Sequence, residues 1–209
     1  KFDEIKKLDE LNINSEFKFY YKKDELELIR NKDYYLKNLS IDGEQYYLLT
    51  KFIKSKNIKV ALSGVGGDEI FNSYPSFKFI PKLNFLQKLT PKFLINFNLS
   101  NYRLNKIFKL LKSSSFSEIY LEFRSSFSEV EIRKILDKLN NIEQYKKKLI
   151  DIYNQNISDI SEDSNKIKAL ELNFYLKDQV LKELDYASMQ NSIETRVPYL
   201  NKEILFNAC

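Results

Sequence analysis

The placement of glycine constrains this chain more than any other feature. It has only four glycines, and three of them, Gly64, Gly66 and Gly67, lie together within residues 57–77, NIKVALSGVGGDEIFNSYPSF. Ahead of them Ile58, Val60, Ala61 and Leu62 form a short apolar, partly β-branched run. That run predicts a strand buried on both faces of a parallel sheet. The glycine-rich turn then falls at the strand's carboxyl end, where open α/β sheets bind ligands because the following helix presents free amides there. Glycine suits such a turn twice over: it accepts positive φ without a Cβ clash, and it lets a phosphate or nucleobase approach the backbone. Ser63 adds a hydroxyl to the same cradle. Asp68 and Glu69 follow at the start of the next helix, and two carboxylates would repel a phosphate unless a divalent cation lay between, so Mg2+ with a nucleotide is the economical expectation. The plain alternative is that Gly66 and Gly67 only turn the chain and Asp68 caps the helix. A short glycine-rich run does not by itself decide between them.

Residues 92–197 contain neither glycine nor proline, which predicts helices throughout. Ser128 with Glu131 reads as a capping box ahead of Ile132, Ile135, Leu136 and Leu139 at helical spacing. Residues 141–156 and 164–190 continue in the same mode, with Tyr145, Tyr153, Phe174 and Tyr175 expected in the core rather than against a ligand. Residues 113–127 read as a short helix between serine-rich loops with no evident chemistry, and the lysines at 146–148 as a solvated face. Upstream, residues 3–11 and 23–39 read as helices, and 16–21, EFKFYY, as a strand with Phe17, Phe19 and Tyr21 on one face. After Ile41-Asp42-Gly43, residues 44–56 carry Tyr46, Leu49, Phe52 and Ile53 at helical spacing, and Asp42 reads as turn-forming. Strand, helix and strand then make a right-handed βαβ unit. Near the C-terminus Asp185 and Ser188 share a helical face, with Leu181 and Met189 toward the core. Glu194 and Arg196, in the extended SIETRVP segment, point to one side as an ion pair.

Composition narrows the classes of chemistry. The chain has 209 residues, 43% of them hydrophobic, enough for a sizeable core in one domain. It has no histidine, which excludes Ser-His-Asp and Cys-His catalysis and the commonest zinc ligand. The one cysteine, Cys209, rules out an internal disulfide framework and suits a reducing cytoplasm. No apolar run approaches the roughly 20 residues of a membrane helix, and the first residues are charged without a signal-peptide core. Although 34 Lys and Arg against 29 Asp and Glu leave a net charge of +5, acids and bases alternate along the helices. Solvated faces are therefore expected rather than a nucleic-acid footprint.

The segment SGVGGDEIFNSYPSF resembles the SGxGxDExFxGY segment of the synthetase domain of glutamine-dependent asparagine synthetases. Residues 171–200, ELNFYLKDQVLKELDYASMQNSIETRVPYL, resemble the same family's YLxDxLLxxxDxxSMxxSxExRxPFLD pattern, in the expected order. The resemblance implies an α/β fold: a partial adenine-nucleotide α-hydrolase-like (PP-loop) parallel sheet in a nucleotide-binding part, residues 1–80, followed by a mostly helical part, 81–209. It implies ATP-dependent amide formation through an acyl-adenylate, joining a small carboxylate, aspartate by default, to ammonia from a glutaminase domain or chain. Relatives of the same fold amidate sugar acids or close lactam rings. Ser63, Gly64, Gly66 and Gly67 would contact ATP, Asp68 would bind Mg2+ as a catalytic residue, and Glu69 would act beside it in support of the turn. The Asp42 loop would lie at the cleft mouth, and residues 178–198 under the nucleotide. Neither nucleic acid nor membrane is implied as a partner. The chain departs from the pattern in several places. No SGGxDS loop, glutaminase cysteine or R-K-x-G-F lysine segment occurs. Val65 stands where some members carry glutamate, Asn72-Ser73 replaces Gly-Gly, and Asn201 replaces aspartate. The expectation is a domain truncated at both ends, with little activity alone. The competing expectation is a non-catalytic helical scaffold or relic, with nucleic-acid binding ranked last.

Overall fold

The computed structural model describes residues 41–90, 102–127, 129–135 and 141–208. The helices expected over 3–11 and 23–39, the strand over 16–21 and the Ser128 cap lie outside these residues. Chain contacts divide the molecule into Lys1–Ile41 and Asp42–Cys209, and every element below belongs to the second unit apart from Ile41.

Helix α1 (Ile41–Ser55) leads to β1 (Val60–Leu62), then to the short α2 (Gly67–Ile70) and to α3 (Pro75–Leu89). Pro75 opens α3 at a position whose N–H has no intrahelical partner, so nothing is lost there. Then come α4 (Tyr102–Lys112), α5 (Phe116–Arg124), α6 (Glu129–Ile135), α7 (Ile142–Ile157) and α8 (Asp163–Leu170). The last of these runs without a break into a π-helical stretch, Glu171–Val180, and on into α9 (Leu181–Gln190). The chain closes with β2 (Glu194–Arg196), a 3-10 turn at Pro198–Leu200 and α10 (Lys202–Ala208). The described part of the glycine- and proline-free region is thus helical up to β2. Residues 41–43, expected as a turn, instead form the first turn of α1.

The architecture is mostly helical with a small parallel sheet, an α/β arrangement. Strand β1 pairs with β2 in the register Val60↔Glu194 and Leu62↔Arg196. A strand buried on both faces was expected, and this is corrected: Ile58, Val60 and Leu62 are 43%, 42% and 74% exposed. Among the described residues β1 has a single partner strand, and no layer lies over Val60 and Leu62.

The core lies among α3, α4, α5, α7 and α8, around Ile80, Leu110, Ile119, Tyr153, Ile157 and Ile167. Tyr153 meets Tyr120 edge-on at 5.7 Å and Phe174 at 4.4 Å between centroids, as a core aromatic should. Tyr145 is exposed instead, one position off the inward stripe of Ile142, Lys146, Leu149, Tyr153 and Ile157. Met189 is exposed too, beside the inward Leu184, Ala187, Ser188 and Asn191. Lys147 and Lys148 are solvated as expected, whereas Lys146 is half-buried and ion-paired. Buried Asn191 ties the end of α9 to α1, its amide donating to Tyr47 O at 3.0 Å and Thr50 Oγ1 at 2.9 Å. Among the described residues no helix is long and apolar enough to cross a membrane.

Candidate functional site

At the carboxyl end of β1 the Ser63 N–H donates to Arg196 O at 2.8 Å, carrying the ladder one residue into the turn. The Val65 amide donates to Ser63 Oγ at 3.3 Å, and the Gly67 amide closes the turn on Gly64 O at 3.1 Å. Gly66 is the N-cap of α2, at a left-handed φ of 92°, with no side-chain capping bond. The alternative in which Asp68 caps the helix therefore does not hold.

The three glycines differ in what surrounds them. A Cβ on Gly66 would lie 2.7 Å from Leu200 Cδ2, and one on Gly67 3.4 Å from the Tyr199 ring, whereas at Gly64 nothing lies within 4 Å. The chain itself thus demands glycine at 66, through φ and Leu200, and leaves little room at 67. Only Gly64 faces open space.

That space belongs to a cavity of about 250 Å3. Gly64, Gly66, Asp68 and Glu69 line it; Ser63 and Gly67 do not. Its other walls come from Gln45 and Tyr46 of α1, from Tyr74, and from Tyr175 and Val180 of the π-helical stretch. Asp68 is exposed. Glu69 is only 2% exposed and accepts a hydrogen bond from the Tyr74 hydroxyl at 3.0 Å. Burial first, and the Glu69 charge second, raise the Tyr74 pKa well above the ordinary phenol value, so the phenol keeps its proton and stays a donor. Among the described residues, the charged side chains lining the cavity are Asp68 and Glu69. A phosphate group would need an accompanying cation to enter.

Among the described residues no group of three or more Asp, Glu, His or Cys side chains could hold a metal ion. Mg2+ is commonly held by one or two carboxylates together with substrate phosphates and water. Asp68 offers such a carboxylate at the cavity.

Behind the cavity wall lies a polar cluster that the sequence did not flag. Glu171 is fully buried, accepts from Ser76 Oγ at 3.0 Å and lies 3.1 Å from Arg124 Nη2. Burial raises the Glu171 pKa and outweighs the opposing pull of Arg124. Burial works against the Arg124 charge, but Glu171 and the neighbouring tyrosines outweigh it and hold the guanidinium pKa above its usual value. Arg124 sits in the serine-flanked 113–127 segment, where nothing signalled a partner, and Tyr175 read as core. Glu171 opened the second motif, the only available signal. Arg196 Nε pairs with Glu194 Oε1 at 2.7 Å, as anticipated. The Ser188 hydroxyl donates to the Asp185 backbone carbonyl at 3.0 Å, not to its carboxylate.

The family model described as asparagine synthase matches residues 26–209 of this chain. Comparison with curated proteins gave no match, nor did comparison with solved structures.

Proposed function

This chain belongs to the asparagine synthase family, and from that premise we propose that it takes part in ATP-dependent ligation of ammonia to a carboxylate, with the cavity at the β1–α2 turn as the nucleotide and acceptor site. The acceptor carboxylate, aspartate by default, attacks the α-phosphate of ATP and pyrophosphate leaves. Ammonia supplied from glutamine by a glutaminase domain or chain then displaces AMP from the acyl-adenylate. Bound Mg2+ would supply charge neutralisation on the departing pyrophosphate.

The chain's own residues divide the work. Asp68 would hold the metal, the Gly64 backbone admits the phosphates, and Val65 and Gly66 present their backbone to the nucleotide, with Ser63 and Gly67 shaping the turn from outside the cavity. Glu69, fixed by Tyr74, orients the turn beside the reacting carboxyl. In this reading the sheet is of the PP-loop type, with residues 1–80 as the nucleotide-binding part and residues 81–209 as the helical part. The phosphate contacts we propose for this chain are those of this turn.

The observation that carries the reading is Asp68, exposed on a glycine-walled cavity at the carboxyl end of a parallel strand, with no basic side chain in its lining among the described residues. Titration calorimetry of Mg-ATP tests it. Binding is expected with Mg2+ present and is lost when Mg2+ is omitted or in Asp68→Asn; equal affinity in all three cases would refute it. A second reading, a non-catalytic scaffold for a partner synthetase or glutaminase chain, is favoured by the exposed Val60 and Leu62. It predicts that Asp68→Asn changes nothing.

A further inference from the structure

Arg124, the last residue of α5, reaches behind the cavity wall. Its guanidinium carbon lies 3.8 Å from the Tyr175 ring centroid and 5.1 Å from that of Tyr74. Those two rings meet edge-on with centroids 6.0 Å apart, and both line the cavity. At its other end the guanidinium is 3.1 Å from Glu171 Oε2, although neither Nη2 nor Oε2 has a hydrogen-bond partner among the described residues. The contact with Glu171 is thus an ion pair, and those with the rings place the guanidinium at cation–π distance.

An interior ion pair adds little net stability over an apolar pair of the same volume, because each charge gives up its water. What a guanidinium supplies here is shape: a flat, permanently charged plate that stacks on aromatic faces as an ammonium cannot. The π-helical stretch contributes the geometry. Its i→i+5 bonding widens the helix, and Glu171, Tyr175 and Val180 serve one side, with Tyr175 and Val180 at the cavity and Glu171 behind it.

We propose that Arg124 is a positioning residue for this site: held by Glu171, it fixes the Tyr74 and Tyr175 rings in the cavity wall and, through the Tyr74 hydroxyl, the Glu69 carboxylate. That the wall faces a nucleotide rests on the function proposed above; that Arg124 sets the wall does not.

The test uses the full chain with isotope-labelled tyrosine rings. Arg124→Lys keeps a charge for Glu171 and removes the plate. The Tyr74 and Tyr175 ring resonances, assigned by Tyr→Phe substitution, shift and broaden, while those of exposed Tyr145 stay in place. Mg-ATP binding weakens about tenfold, the lower end of what a lost supporting contact costs a metal site. Tyr74→Phe, which keeps the ring and loses the hydroxyl, weakens it similarly. The double variant falls little further, because both changes act through one contact. Additive losses that track melting temperature would instead mark a merely structural role and overturn the proposal. If Arg124→Lys does not fold, Arg124→Met combined with Glu171→Met removes both charges and is read the same way. Unchanged Tyr74 and Tyr175 resonances in whichever variant folds also overturn it. Shifted rings in a chain whose wild type binds no Mg-ATP uphold the positioning role and sink the nucleotide reading instead.

Discussion

Gly64 and Gly66 stand two residues apart and are glycine for different reasons. Gly66→Ala forces a side chain into the left-handed region, which costs roughly 1–2 kcal/mol, and drives a Cβ against Leu200. Its melting temperature is expected to fall, and Leu200→Ala restores only the part due to the clash. Gly64→Ala meets no atom within 4 Å, so its melting temperature stays at the wild-type value while Mg-ATP affinity drops. Thermal unfolding and titration of both variants check this, and a Gly64→Ala protein with unchanged affinity would mean that no ligand approaches there. The sequence picked out this turn and its two carboxylates because glycine is so scarce elsewhere. It could not assign a reason to each glycine, since Tyr199 and Leu200 arrive from the far end of the chain. Glu69 was legible as a supporting residue, but its hydrogen bond to Tyr74 was not.

The helices were the most legible elements, because their signals are local. Ser115 caps α5, accepting from the Glu118 amide at 3.2 Å, and the Glu118 carboxylate accepts from the Ser114 amide in return. Contacts between helices were not legible, and Lys146 shows why. On α7 it reads as one of three solvated lysines, yet it lies 2.7 Å from Glu122 and 3.2 Å from Glu118 of α5, while Lys109 of α4 reaches Glu122 at 2.6 Å. Burial alone would raise the Glu122 pKa, but Lys109 and Lys146 outweigh it and hold it below its ordinary 4.5. Lys146 is likewise raised above 10.5, its paired glutamates outweighing burial. A lowered acid contributes stability that is present above its unfolded pKa and is lost as pH falls through the folded value. A raised base contributes stability that is present below its unfolded pKa and is lost as pH rises through the folded one. The network therefore stabilises between about pH 4.5 and 10.5. Glu122→Gln is expected to melt below wild type at neutral pH, with the gap closing as pH falls below 4.5. Because these side chains are partly exposed, the gap is modest, and a gap that persisted in acid would show that Glu122 acts by packing alone.

At the scale of the molecule, the two motif segments, far apart in sequence, converge on one cavity. The Ser63 amide bonds to Arg196 O, Ser76 bonds to Glu171, and Tyr74 meets Tyr175. That convergence was legible only through the family pattern, since neither composition nor periodicity says which distant segments meet. The extent of the sheet was not legible at all, because an apolar run such as 58–62 reads the same whether its faces are covered or bare. On the function proposed above, the β1–α2 turn and the Tyr175 wall bind a magnesium nucleotide. Backbone amide shifts recorded residue by residue during an Mg-ATP titration of the isotope-labelled chain test it most directly. Shifts are expected to be confined to residues 63–69 and the walls facing them, to saturate at an affinity on the order of millimolar, about 4 kcal/mol, and to be absent without Mg2+. Shifts spread over the lysine-bearing helix surfaces, or shifts at the turn that persist without Mg2+, would contradict it.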